Sequence, residues 1–259
     1  MLTPAQEHWQ RTMAARRGDD AMSSATLTAY EQILHRLRID QTQLSNLQGN
    51  ERKAEYKRAV MAAYDGWIDG VLTADTGQAD EVLSHIMIWQ IDIGNYARAL
   101  TLAEYVIRHN LPLPDRYHRT VGPLLVDEIC DKALAIFAAG NEAIEPISLA
   151  ILEWLAVLVE SLDMPNQVRA KLFKTLAYTL RKSPQQADKE RALSLMREAL
   201  LLFTNIGVKK DIETLTRELK KAAEPVADVI PVTPPPKPAA TDKKPLKPKI
   251  TAAKKPSSR

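Results

Sequence analysis

The sequence predicts an all-α protein, and three observations carry that prediction. The 259 residues contain only nine glycines, and helix formers such as Ala, Leu, Glu, Lys, Arg and Gln dominate. Apolar residues recur at spacings of three and four along most of residues 4–221. The prolines are uneven: nine of the sixteen follow residue 223. What remains after that segment is long enough to bury a substantial core. The expected architecture is a compact body of helical hairpins, N-terminal helices with a coiled-coil-like hairpin, and a disordered basic Pro/Lys-rich tail. Three regions follow: 1–74, 75–221 and 222–259.

The first helix spans residues 4–17, with Thr3 as its cap and Pro4 in its first turn, where proline is tolerated. Arg11, Arg16 and Arg17 make its end basic. They either complement the helix C-terminus or meet phosphates. Gly18-Asp19-Asp20 interrupts the helix, and a long one follows from Ser24. Leu27, Tyr30, Leu34, Leu37, Gln41 and Leu44 form a heptad-like seam, flanked by His35, Arg36 and Arg38. Such a seam serves either this chain's own core or self-association. After a turn at 48–50, a helix over 51–72 presents Val60, Met61, Tyr64, Trp67, Ile68, Val71 and Leu72 on one face. Residues 24–72 therefore read as an antiparallel hairpin.

A largely buried helix follows from Val82 to Ile93. Gly94 ends it, and Asn95 is placed to cap the next. Ala99 and Ala103 on that next helix permit close approach of a neighbour. The string GNYARALTLAEYVI resembles the second helix of a tetratricopeptide repeat, and ADKERALSLMREALLLF at 187–203 is related to it. Their separation of 93 residues fits no regular array, so they are two hairpins of similar packing. Leu111-Pro112-Leu113-Pro114 cannot continue a helix. The surrounding loop carries Arg116, His118 and Arg119. Helices are then expected over 124–139, 147–162, 163–182, 184–204 and 208–221, the last with Ile212, Leu215 and Leu219 on one side.

The net charge of +3 is unevenly placed. From residue 222 onward, eight basic residues face three acidic ones, so the tail carries +5 and the rest −2. Lys243, Lys244, Lys254 and Lys255 are the tail's paired lysines. A basic tail on a neutral body points to an anionic partner, most commonly nucleic acid. One cysteine, Cys130, allows no internal disulfide and falls in an apolar helical pattern, as a buried inert thiol would. The N-terminal stretch lacks an apolar core of signal-peptide length, and no apolar run is long enough to span a bilayer. The expectation is a cytoplasmic protein with no membrane partner.

Catalytic patterns are sparse. No glycine-rich phosphate loop with a following Lys-Ser or Lys-Thr occurs, and no two histidines sit four apart on a helix. No resident metal is expected. Asp127, Glu128 and Asp131 cluster in sequence, with Asp127 and Asp131 on one helix face, and are the weak catalytic candidates. Their plainer reading is the acidic opening of a helix. The candidates for DNA contact are Arg11, Arg16, Arg17, Arg36, Arg38, Arg116, His118, Arg119 and the four tail lysines. A helix-turn-helix fits into the first 48 residues, although its turn has no distinctive pattern.

Several strings carry one family resemblance in order along the chain. They are TPAQEH, AYEQIL at 29–34, WIDGVL at 67–72, WQIDIGNYARALTLAEYVIRHNLPLPDRYHRT at 89–120, DMPNQVRAKLFK at 163–174 and GVKKDIETLTRELK at 207–220. They resemble the small subunit of the terminase of Peduovirus-type tailed phages, the GpM-like proteins often labelled terminase endonuclease subunit. The resemblance implies a homo-oligomer that recognises the packaging start, cos, on double-stranded viral DNA. It implies recruitment of a large subunit that carries the ATPase, with Mg²⁺ and ATP bound there and no cofactor in this chain. It places the protein in the cytoplasm of the infected bacterial host. It transfers no catalytic residue. Two alternatives stand beside it: an endonuclease that itself cuts cos, and a helical interaction scaffold without DNA contact.

Overall fold

A computed structural model describes residues 2–17, 24–114, 119–140 and 146–223. Among them are ten helices and no strand. The helices are α1 (Pro4–Ala15), α2 (Ser24–Asn46), α3 (Asn50–Ala74), α4 (Glu81–Asp92), α5 (Tyr96–Arg108), α6 (Val121–Ala139), α7 (Leu149–Leu158), α8 (Asn166–Leu180), α9 (Gln186–Leu202) and α10 (Lys209–Ala223). The all-α expectation holds, and Met1–Ala223 forms one compact unit. The interruption at 18–20 and the tail from 224 lie outside the described residues.

The first helix starts as its sequence dictates. Thr3 accepts from the Gln6 amide while the Gln6 side chain accepts from the Thr3 amide, a reciprocal box behind Pro4. Its packing is less obvious. α1 lies directly on α3 at Gly66 and Gly70. A Cβ added at Gly70 would come within 2.4 Å of the Arg11 carbonyl oxygen, and one at Gly66 within 2.9 Å of the Glu7 carbonyl oxygen. Two glycines one turn apart thus let backbone pack on side-chain-free backbone. The tightest approach to α3 is by α1, where the sequence suggested an α2–α3 pair.

α2 packs on the same body through Ala29, Ile33, Leu37, Asp40 and Leu44, all buried. Leu37 and Leu44 of the heptad seam therefore belong to this chain's own core. Asp40 is held by two tyrosines of α3, accepting from Tyr56 Oη at 2.7 Å and Tyr64 Oη at 2.5 Å. Burial and that hydrogen bond push the Tyr56 hydroxyl up to about 12.

The deepest element is α4, in which residues 82–91 are all buried. A helix hydrophobic all round must be enclosed, and α4 is wrapped by α2, α3 and α5. Gly94 at φ 83° closes the α4–α5 turn. Asn95 stands at the N-cap position of α5 but makes no side-chain cap bond, contrary to expectation. Ala99 and Ala103 are fully buried, as close hairpin packing requires. The α8–α9 hairpin repeats the device with Ala177, Ala192 and Ala199. α7 is shorter than its apolar pattern implied, ending at Leu158 where single turns take over.

A second small core of Ala177, Leu180, Leu193, Met196, Val208 and Leu215 attaches α10. Ile212 and Leu219 pack against it. Asp211 anchors the start of α10, accepting from Tyr178 Oη at 2.7 Å and Arg181 Nη1 at 2.6 Å. Burial works to raise the Asp211 carboxyl, but those two hydrogen bonds outweigh it and hold it below the usual carboxylate range.

Between α3 and α4 lies the most heavily shared side chain. Asp80, 2% exposed, accepts from Arg17 Nη1 at 2.7 Å, Trp67 Nε1 at 2.9 Å and the Leu83 amide at 3.0 Å. The last of these caps α4. Arg17 also donates to the Ala79 carbonyl at 2.8 Å and lies 3.6 Å over the Tyr30 ring.

Two predictions follow from these anchors. Asp80→Ala leaves the Arg17 guanidinium buried without its counter-ion and should cost about 3–5 kcal/mol in urea unfolding, with added loss from the vacated α4 cap. A variant as stable as wild type would show that the hub contributes nothing. Asp211, held low in the folded state, contributes stability above its unfolded pKa that disappears as pH falls through the folded one. Asp211→Asn should therefore flatten the wild-type loss of thermal stability at acid pH, read as melting temperature between about pH 5 and pH 2.

Candidate nucleic-acid interface

The described basic candidates fall into separate settings. Arg17 is the clearest departure from the sequence reading. It is 8% exposed, and Asp80, the Ala79 carbonyl and Tyr30 occupy its guanidinium. It therefore ties α1 to the body and does not offer itself to phosphate. Arg11 is about half exposed but lies 3.2 Å from Glu7 and 3.8 Å from Asp69. Arg16, the C-cap residue of α1, is exposed.

On α2, Arg38 and His35 are exposed. Arg36 is half-buried, with Nε 3.8 Å from Asp40 and its guanidinium 5.8 Å from the Tyr64 ring. α1 and α2 lie side by side, and a groove of about 220 Å³ between them includes Trp9 of α1 and His35, Arg36 and Ile39 of α2. The structure thus brings the Arg36 region of α2 next to α1. Trp9 was not singled out in the sequence. The residues of α1 nearest α3 are Glu7, Gln10, Arg11 and Ala14, and Trp9 falls off that stripe at 40% exposure. That offset was readable only once the packing face was known.

Arg119 occupies a different place, just before α6. Its side chain is 63% exposed and hydrogen-bonds Asp127. Asp127 also accepts from Lys171 of α8 at 2.8 Å, and Lys171 Nζ lies 2.7 Å from Asp131. Burial opposes the charge on Lys171, but the two carboxylates outweigh it and raise its pKa. α6 begins at Val121, and its first turn holds no acid. The reading of these carboxylates as an acidic opening turn is therefore replaced by an α6–α8 ion-pair lock. A divalent cation shared by Asp127 and Asp131 would have to displace that ammonium. Among the described residues, no group of three His, Cys, Asp or Glu is placed to hold a metal ion. A cavity of about 470 Å³ lies here, with Arg119, Asp127, Gln167 and Lys171 in its walls.

Arg116, His118, Lys243, Lys244, Lys254 and Lys255 lie outside the described residues. Cys130 is fully buried, and burial pushes its thiol up to about 12, which makes it inert. No described helix is long and apolar enough to cross a membrane.

The family described as "Phage small terminase subunit" matches residues 34–167, just over half of the chain. The chain is 35% identical over 226 residues to the "Terminase, endonuclease subunit" of Escherichia phage P2, covering 87% of this chain and 89% of that protein. It is 27% identical over 183 residues to the "Probable terminase, endonuclease subunit" of Haemophilus phage HP1 (strain HP1c1), covering 66% of this chain and 64% of that protein. No solved structure matches. The extent of the family match, and a relative aligned over most of both lengths, establish that the chain belongs to the phage small terminase subunit family, part of the apparatus of viral DNA packaging.

Proposed function

We propose that the chain is the DNA-recognition subunit of its terminase. In this reading it binds double-stranded viral DNA at cos, acts as a homo-oligomer, directs the cut, and brings in the large subunit whose ATPase drives packaging. It works in the cytoplasm of the infected bacterium. The single observation that carries this reading is the charge distribution within a family member: a near-neutral body followed by a tail at net +5. Lysines on such a tail neutralise phosphates with little regard to sequence. Discrimination of cos must then come from the body, where short-range contacts operate.

Of the described surfaces, the α1–α2 side suits DNA better than the Arg119 cavity. At the cavity, Arg119 and Lys171 already face Asp127, and Lys171 also faces Asp131. A phosphate would have to compete with carboxylates in place. Arg38 and Arg16 are exposed with no ion pair to a described residue.

A second reading keeps Asp127, Glu128 and Asp131 as the centre of an endonuclease within this chain. The names of the two relatives favour it. The Lys171 contacts weigh against it, because an ammonium lies between two of the carboxylates. Purified chain with Mg²⁺ and cos DNA, without the large subunit, should leave the DNA intact. Staggered ends lost on Asp127→Asn would establish this second reading instead.

DNA binding is tested by titrating cos duplex across a salt series, with a non-cos duplex as competitor. If about six phosphates are contacted, affinity should fall roughly a thousandfold between about 50 and 200 mM salt. Deleting residues 224–259 should make that dependence shallower while leaving the preference for cos in place. No binding at any salt concentration would refute the DNA role.

A further inference from the structure

The α1–α2 groove differs from four other cavities on this surface in one chemical respect. Those four have carboxylates in their walls: Asp80 and Glu81, Asp127, Glu51, and Glu213. The α1–α2 groove has none, and its ionisable wall residues are His35 and Arg36.

The groove also concentrates unusual exposure. Large apolar side chains are exposed at Trp9, Ile39, Val157 and Leu201, and the first two lie in this groove. Buried side-chain polar atoms without a hydrogen-bond partner among the described residues are Gln10 Oε1, Arg36 Nε and Gln90 Oε1. Gln10 Oε1 lies on the α3 side, against Gly66, and Arg36 Nε faces Asp40 at 3.8 Å, so neither of these two is directed into the groove. An exposed indole, an exposed isoleucine and the Arg36 side chain thus share one place.

We propose that this groove receives a single unstacked base of DNA. The base ring lies against the Trp9 indole. Ile39 covers its apolar side, and the Arg36 guanidinium in the groove wall meets an adjoining phosphate. His35, in the same wall, hydrogen-bonds a flanking phosphate. The volume of about 220 Å³ lies below the range of drug-sized ligand sites, roughly 300–1,000 Å³, and suits one planar ring system. Stacking on an aromatic side chain is tolerant of base identity, because every base has a π-face. Charge decides against a second copy of this chain as the occupant. A two-fold pairing of this face would set Arg36 against like charge, whereas a nucleic-acid strand brings the opposite charge.

This inference rests on the DNA-binding role proposed above, and its test separates the two. The probe is an oligodeoxythymidylate, compared with a blunt duplex, on the full-length chain at a salt concentration that suppresses the tail. Trp67 and Trp89 are buried and Trp154 half-buried, so Trp9 is the most exposed indole. The single strand should quench tryptophan fluorescence, and Trp9→Phe should remove most of the quench while preserving affinity. Trp9→Ala should weaken the single strand on the order of 5- to 150-fold, with duplex affinity and melting temperature little changed. Ile39→Glu, at a position 48% exposed, should act in the same direction. Single-strand affinity of Trp9→Ala within about twofold of wild type, outside that stacking range, overturns the proposal. So does a Trp9→Ala protein that changes oligomeric mass with unaltered DNA affinities, since the groove then seats a second copy. Loss of all DNA binding in the wild type overturns the broader DNA role as well.

Discussion

A carboxylate buried between four helices is the interaction on which the N-terminal half depends. Asp80 holds Arg17 just beyond α1, Trp67 in α3 and the first turn of α4, and Arg17 in turn lies over Tyr30 of α2. An ionised carboxylate in the interior is tolerable only if its lone pairs are filled and its charge is answered. Here both oxygens accept, and a guanidinium supplies the charge. The geometry has few alternatives. Moving α1 away strips the charge partner from Asp80, and shifting α4 strips its cap. Hydrophobic packing alone would leave the angle of α1 poorly specified, since Ala14 is the one fully buried residue within it.

How much of this was legible follows from which residues do the packing. α4 could be read because apolar side chains fill its whole circumference. α5 could be read from the alternation that puts Ala99, Ala103 and Val106 inside. α10 was readable too, since Ile212, Leu215 and Leu219 are alone among charges. The α1–α3 contact was not. The α1 residues nearest α3 are Glu7, Gln10, Arg11 and Ala14, and the answering residues are glycines. An apolar pattern cannot announce a contact made by backbone on backbone. The heptad seam of α2 serves the chain's own core at Leu37 and Leu44, one of the two uses its pattern allowed. Asp40 sits beside it, buried and held by Tyr56 and Tyr64, so that face is consumed within the chain.

The same limit explains the site. Arg17 looked like its neighbour Arg16, and nothing local distinguishes them. The difference is a carboxylate 63 positions later. Likewise Asp127 and Asp131 read as a helical pair of acids, while the lysine that joins them lies on α8, 44 residues from Asp127. The signals that were missed, an Asp immediately before a helical run for Asp80 and a lone tryptophan on a short basic helix for Trp9, are both visible in the sequence. Each gains meaning only from a contact distant along the chain.

These constraints bear on the DNA role proposed above, in which the chain discriminates among sites. In that proposed role, a tail of lysines and prolines supplies attraction that falls with salt and is blind to sequence. Selectivity has to come from groups held at fixed separation, since a side chain free to wander satisfies any base. The α1–α2 groove meets that condition through the core beneath it. Trp9 sits on a helix fixed to α3 at Gly66 and Gly70 and tied by Arg17 to Asp80. His35, Arg36 and Ile39 sit on a helix anchored by Asp40 and by Tyr30. The two walls of the groove are therefore set by buried polar contacts that solvent and salt scarcely reach. Raising salt should weaken the tail long before it loosens the groove. In the proposed role, long-range attraction and the positioning of a base thus rest on parts of the chain that respond differently to the same ions.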